Sequence, residues 1–184
     1  LIAYFGKEET VTLPNEINGN SYEIYQMRGV RNVIILNGMT SIGYSAFLDC
    51  SSLTSIEIPS SVTSIRSSAF EGCSGLTSVT FSENSKLTSI GEYAFRECSN
   101  LTSIEIPSSV TSIWDFAFDI CVSLTSVTFG EDSQLTSIGQ QALRGCSNLT
   151  SIEIPSSVTS IGIYAFNGCS SLECIMVADG NRIY

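Results

Sequence analysis

Leu53-Thr54-Ser55-Ile56-Glu57-Ile58-Pro59-Ser60-Ser61-Val62-Thr63-Ser64-Ile65, followed by Ala69-Phe70 and Cys73, is the stretch that decides the fold. The opening phrase Leu-Thr-Ser-Ile/Val recurs at Leu76, Leu101, Leu124 and Leu149, with a weaker copy at Val30 and an incomplete one at Leu172. Successive starts are 23 or 25 residues apart. Cys50, Cys73, Cys98, Cys121, Cys146 and Cys169 keep the same beat. A fixed period in this range marks a stacked-repeat architecture.

The apolar positions of one unit are Leu53, Ile56, Ile58, Val62, Ile65, Ala69, Phe70 and Cys73. The next unit repeats them as Leu76, Val79, Phe81, Leu87, Ile90, Ala94, Phe95 and Cys98, once two residues are inserted between Phe81 and Leu87. The same insertion falls between Phe129 and Leu135, again in a polar stretch, where loops tolerate it. Ser55-Ile56-Glu57-Ile58 alternates polar and apolar and reads as a short strand with one buried face. Pro59, Pro107 and Pro155 close that strand by removing a ladder donor. Val62 to Ile65 reads as a second extended piece, and the stretch through Ala69-Phe70 as a helical turn or 3₁₀ piece. One unit cannot bury eight apolar groups alone, so the units must stack as a repeat solenoid. Its strands would form a parallel sheet rising about 4.7–4.9 Å per coil.

Leu149-Thr150-Ser151-Ile152-Glu153-Ile154-Pro155-Ser156-Ser157-Val158-Thr159-Ser160-Ile161-Gly162-Ile163-Tyr164-Ala165-Phe166-Asn167-Gly168-Cys169 resembles the BspA-like class of leucine-rich repeats, as does most of the chain from about residue 8 to 184. The resemblance implies a right-handed solenoid displayed on or outside cells of host-associated bacteria and some protozoa. Several such proteins are adhesins. The class shares no catalytic residues, so none carries over.

Residues 1–29 are expected to form an N-terminal cap and degenerate first repeat, with Val11, Leu13, Pro14 and Ile17 in core positions, a turn at Asn18-Gly19-Asn20, and Tyr25-Gln26-Met27-Arg28 replacing the Ala-Phe-x-x-Cys end. Six repeats follow over 30–171, starting at 30, 53, 76, 101, 124 and 149. Residues 172–184 read as the start of a further repeat or a C-terminal cap, cut short, with a new strand at Leu172–Val177 and Asn181 to Tyr184 opening a variant unit. A sheet end left open there would be a face for end-to-end self-association. The chain opens on Leu1 and reads as a piece of something longer.

Composition narrows the function. The chain has 184 residues, eight Lys+Arg against 18 Asp+Glu, a net charge of −10 and no histidine. A nucleic-acid partner needs clustered positive charge, and none is present. Without histidine, Ser-His-Asp and Cys-His catalysis and His-ligated zinc fall away. No cofactor or metal is expected, no segment reads as membrane-inserted, and the chain reads as non-enzymatic. The six phased cysteines admit metal binding, disulfides or a ladder of buried thiols. There is no C-x-x-C pair for a metal, and stacked side chains project in parallel rather than toward each other, so the thiol ladder is favoured. Cys174 falls at an alternation-exposed position.

Positions that vary between copies are free for recognition. One set lies on the outer strand face: Glu57, Thr80, Glu105, Thr128 and Glu153, beside an unbroken row of serines. The other follows the Ile-Gly step and supplies Tyr44, Arg66, Tyr93, Trp114, Phe116 and Tyr164, a candidate aromatic stripe in which Trp114 is the first residue to mutate. The leading expectation is an extracellular or cell-surface recognition or adhesion module that binds a protein or glycan through these faces. The alternative is a structural spacer or self-assembling surface-layer element. Thiol titration of the denatured, unreduced protein is expected to find seven free groups; finding one or none would reverse the thiol reading.

Overall fold

A computed structural model describes residues 2–4, 10–13, 24–27 and 29–178. The chain winds into a parallel β-solenoid of about seven turns, with no helix among the described residues. Each coil contributes one strand to each of two sides. Four-residue strands at Thr10–Leu13, Asn32–Ile35, Ser55–Ile58, Ser78–Phe81, Ser103–Ile106 and Ser126–Phe129 pair in parallel in that order, and Ser151–Ile154 pairs with Cys174–Val177. Two-residue strands at Ser41–Ile42, Ser64–Ile65, Ser89–Ile90, Ser112–Ile113, Ser137–Ile138 and Ser160–Ile161 form the second sheet. Both extended pieces of the repeat are therefore strands. Along Ser55–Ile58 and Ser103–Ile106, residues alternate exposed and buried, as a half-buried strand requires.

At the N-terminal end, Ile2–Tyr4 pairs in parallel with Ile24–Met27. Met27 is fully buried; its amide donates to the Ala46 carbonyl, as the Phe47 amide donates to Ala69. The Cys50 thiol donates to the Met27 carbonyl, as Cys73 donates to that of Phe47. Met27 thus stands where later coils place phenylalanine. The expectations for Pro14, Ile17, Asn18-Gly19-Asn20, Arg28 and Asn181 to Tyr184 fall outside the described residues.

Stacking superposes like on like. Phe47, Phe70, Phe95 and Phe118 form a column with centroids 5.0, 5.1 and 5.3 Å apart and planes within 5°. Those separations fit an offset stack. Every thiol from Cys73 to Cys169 donates to a backbone carbonyl of an earlier coil, at 3.0–3.2 Å. Cys174 is exposed. Threonine hydroxyls build two further ladders: Thr77 donates to Thr54 O and Thr125 to Thr102 O, while Thr88 donates to Thr63 O and Thr111 to Thr88 O. Each of these carbonyls also accepts the same threonine's backbone amide, so the hydroxyl adds a second hydrogen bond between coils at the edge.

The helical turn expected through Ala69-Phe70 is not present. The Ser45, Phe47 and Asp49 amides donate to Ser67, Ala69 and Glu71 of the next coil, while the Ala46, Leu48 and Cys50 amides donate three residues back. A helix needs every amide to bond within the segment. Here alternate amides are committed to the neighbouring coil, so the segment is a chain of separate turns. Two left-handed residues per coil aim those amides outward, among them Ser45 and Asp49, Tyr93 and Glu97, and Phe116 and Ile120. Gly72, Gly145 and Gly168 take the second of these positions elsewhere. At Ile120 a β-branched residue sits at φ 60°, where L-residues pay a steric cost. Ile120→Gly is expected to stabilise the fold by about 1 kcal/mol and raise Tm by roughly 2–4 °C, read by thermal denaturation.

Burial raises the thiol pKa of Cys73, Cys98 and Cys121. Cys146, buried beside the Cys169 thiol, is raised as well. A raised thiol favours the folded state while unfolded thiols stay protonated, and that advantage is lost as pH climbs above the unfolded value of about 8.5. Urea stability should therefore fall above pH ~8.5, each such thiol adding about 1.4 kcal/mol per pH unit to the slope. Cys98→Ala should flatten the slope by one thiol's worth.

Candidate functional site

The main sheet is not uniform. All four residues are in register between the strands beginning at Ser55 and Ser78, and again between those beginning at Ser103 and Ser126. Between Ser78–Phe81 and Ser103–Ile106 only Ser78 and Ser103 pair, and Ser126–Phe129 does not pair with Ser151–Ile154. These loosened junctions follow the two coils with the inserted residues. There the strand ends part, and Asn84 and Asp132 turn the inserted loops in left-handed conformation.

Grooves open at these two junctions and at a third, between Asn32–Ile35 and Ser55–Ile58, where only the first two residues pair although no residue is inserted. One of about 550 Å³ runs beside Thr128, Phe129, Asp132, Glu153 and Pro155. A second of about 500 Å³ is lined by Phe81, Glu83, Asn84, Glu105 and Pro107. A third, about 220 Å³, lies beside Leu36, Glu57, Pro59 and Ser82. Each carries one of the three strand glutamates. Glu57, Thr80, Glu105, Thr128 and Glu153 are all exposed on one face, as the alternation requires. Glu57 accepts a hydrogen bond from the Ser82 hydroxyl at 2.8 Å. Threonine between successive glutamates keeps like charges two coils apart, roughly 10 Å, where direct neighbours would repel.

The six residues of the expected aromatic stripe are divided by the structure into separate groups. The Arg66 guanidinium lies 5.1 Å from the Tyr44 ring centroid, and Arg66 Nε donates to the Ser41 hydroxyl. Tyr93 stacks on Phe116 at 4.9 Å, flanked by Arg96 and Arg144 at 5.6 and 5.9 Å from the two rings. Trp114 and Tyr164 stack on no other ring among the described residues, and they are 57% and 64% exposed. Sequence spacing placed these residues near one edge; it could not show which rings pair across coils.

Sequence reasoning missed an ion ladder beside that edge. Glu71, Arg96, Asp119 and Arg144 occupy the position after Ala-Phe or Ala-Leu in four successive coils. Arg96 reaches Glu71 and Glu97 at 3.0 Å, and its Nε lies 3.4 Å from Asp119 in a contact not aligned as a hydrogen bond. Arg144 grips Asp119 with two hydrogen bonds, 2.7 and 2.8 Å. Asp119 is only 1% exposed, and its hydrogen bonds push the Arg144 pKa up. Aligning that single column shows the alternation of sign. Its role is structural, because each arginine is paired with a carboxylate of a neighbouring coil.

No group of three or more His, Cys, Asp or Glu side chains among the described residues is placed to hold a metal ion. No helix among them is long and apolar enough to cross a membrane.

Stacked coils with two parallel sheets, a continuous apolar column and variable side faces define a solenoid of the leucine-rich-repeat type. The chain belongs to the BspA-type leucine-rich-repeat family, whose model matches residues 15–134 and 84–183 with six copies. Among solved structures it is similar to the pneumococcal vaccine antigen PcpA, with TM-score 0.69 and 27% identity over 94% of this chain and 41% of that one. It is also similar to a leucine-rich cell surface protein from Faecalibacterium prausnitzii, with TM-score 0.63 and 33% identity over 96% of this chain and 49% of that one. A leucine-rich-repeat protein from Bacteroides ovatus matches with TM-score 0.60 and 29% identity, over 94% and 46% of the two chains. The chain spans less than half the length of each of these three. No curated protein gives a significant sequence match.

Removing one partner of the ladder strands a buried charge, whereas removing both does not. Arg144→Met is expected to cost about 3 kcal/mol in urea denaturation, and Arg144→Met with Asp119→Leu to recover most of it. Leu48 already occupies this column in the first repeat, so an apolar residue is accommodated there.

Proposed function

We propose that this chain is a non-enzymatic recognition module of an extracellular or cell-surface protein, binding a protein or glycan through the side faces of the solenoid. The observation that carries the reading is the exposure of large rings on a rigid edge: Tyr44 at 55%, Trp114 at 57% and Tyr164 at 64%. Their rings lie outside the buried core cluster, and exposed aromatics on a pre-organised scaffold supply contact area at low entropic cost. The acidic grooves on the strand face add a second surface with its own charge. Location outside or on the cell is supported by the family and by the relative named as a cell surface protein.

The mechanism is additive. Each coil offers a shallow contact, and coils held at a fixed rise present several at once with little left to order on binding. The absence of histidine and the openness of the grooves support a role without catalysis, since a shifted pKa needs a desolvated pocket.

The alternative is a spacer or self-assembling role, in which coil ends rather than side faces make the contacts. The strand Cys174–Val177 is exposed along its length, with Ile175, Met176 and Val177 each near half exposure.

The two readings separate in one pair of measurements. The recognition reading expects a monomer across concentration in sedimentation velocity. It also expects binding on arrays of purified proteins and oligosaccharides that falls at least tenfold when Tyr44, Trp114 and Tyr164 are changed together to alanine, with the melting temperature unchanged. Concentration-dependent end-to-end multimers without array binding would establish the spacer instead.

A further inference from the structure

The second sheet carries a shallow groove of about 460 Å³ that spans three coils. Trp114 stands at one end and Ile163, two coils on, at the other; Gly139 and Gly162 lie between them. Those two glycines cannot gain side chains. A Cβ at Gly139 would lie 2.5 Å from the Trp114 carbonyl carbon, and one at Gly162 would lie 2.3 Å from the Gln140 amide nitrogen. The floor is therefore bare backbone, held open by the close approach of the coils themselves.

Above that floor runs a row of hydroxyls, Ser112, Ser137 and Ser160. Their counterparts in the first repeats are occupied: Ser64 donates to Ser41, and Ser41 also accepts from Arg66 Nε. Ser112, Ser137 and Ser160 have no side-chain hydrogen-bond partner among the described residues. At the equivalent of Arg66 the chain places Trp114, and the next two coils have glycine. The one carboxylate in the lining, Asp115, is engaged by the Gln140 amide at 2.7 Å.

We infer that this groove is a subsite for a neutral sugar ring, stacked by its apolar face on Trp114 with its hydroxyls on Ser137, Ser160 and the Gln140 side chain. This rests on the recognition reading and assigns it a face and a ligand chemistry. A flat indole in the open provides area for a ring with an apolar face. Serine hydroxyls both donate and accept, which suits a polyol. An anionic ligand finds no counter-charge in this lining, and a cationic one finds only Asp115, whose Oδ1 already accepts from the Gln140 backbone N–H. A peptide side-chain anchor would want an enclosed apolar pocket, and this groove is wide and shallow. Its volume lies within the roughly 300–1,000 Å³ of small-ligand sites.

Trp114 is the sole tryptophan of the chain, so its fluorescence reports this groove directly. The intact chain is titrated with neutral oligosaccharides of glucose, mannose, galactose and N-acetylglucosamine, and in parallel with oligolysine. The inference expects a saturable blue shift and protection from acrylamide quenching with at least one sugar series, at a Kd on the order of 1 mM. Ser137→Ala with Ser160→Ala should weaken that response at least threefold without changing the melting temperature. Trp114→Ala should abolish binding measured by broadening of the sugar's own NMR lines. A response to oligolysine and not to sugars would overturn the glycan assignment and leave the recognition reading standing. No Trp114 response to either probe from a monomeric chain would overturn this inference alone. The same silence from a chain that multimerises end to end would overturn both.

Discussion

Everything in this molecule follows from hydrogen-bonding each coil to the next at the spacing of a parallel sheet, about 4.8 Å. At that rise a residue meets its own counterpart one coil away, so each position in the repeat becomes a column. Apolar columns gain from this. Phe47 through Phe118 stack nearly parallel, and leucine and isoleucine fill the interior between the sheets. Polar columns gain only if donor meets acceptor, which the threonine and cysteine ladders achieve by pointing at backbone carbonyls. Charged columns would fail outright if repeated. The chain solves that in two ways: it alternates sign along Glu71, Arg96, Asp119 and Arg144, and it dilutes charge with threonine along Glu57, Thr80, Glu105, Thr128 and Glu153.

The same spacing accounts for where grooves form. A coil with two extra residues after its strand cannot hold the full register with the coil that follows, so the strand ends part there. The parting follows the insertion at two junctions and recurs without one between Asn32–Ile35 and Ser55–Ile58, which gives the strand face a two-coil period. On the other side, close approach of coils forbids a Cβ at Gly139 and Gly162 and leaves a backbone floor. Both kinds of groove arise from departures at the coil edge while the buried column stays intact. Rigid interior and variable edge are the division of labour that a recognition scaffold needs.

Much of this was legible before any coordinates. Ser55-Ile56-Glu57-Ile58 showed a half-buried strand by alternation alone, Val62 to Ile65 a second extended piece, and the phased cysteines a buried column. The segment around Ala69-Phe70 has a local pattern that suits a helical turn, and that pattern lacks the deciding fact. Alternate amides there bond to another coil, and no window of sequence displays a partner 22 residues away. The ion ladder was hidden for a related reason. Glu71, Arg96, Asp119 and Arg144 look like scattered surface charges until the coils are superposed and Asp119 proves to be buried.

By itself, then, the sequence determined the period, the strands, the residues of the core and the solenoid they must build, because a 23-residue unit with eight apolar groups has no other way to bury them. Only the tertiary structure decided which rings pair, which serines stay open, where the sheet loosens and which glycines are obligatory. Those depend on distances between coils of a few ångströms, set by the backbone of a neighbour and not by the residue's own identity.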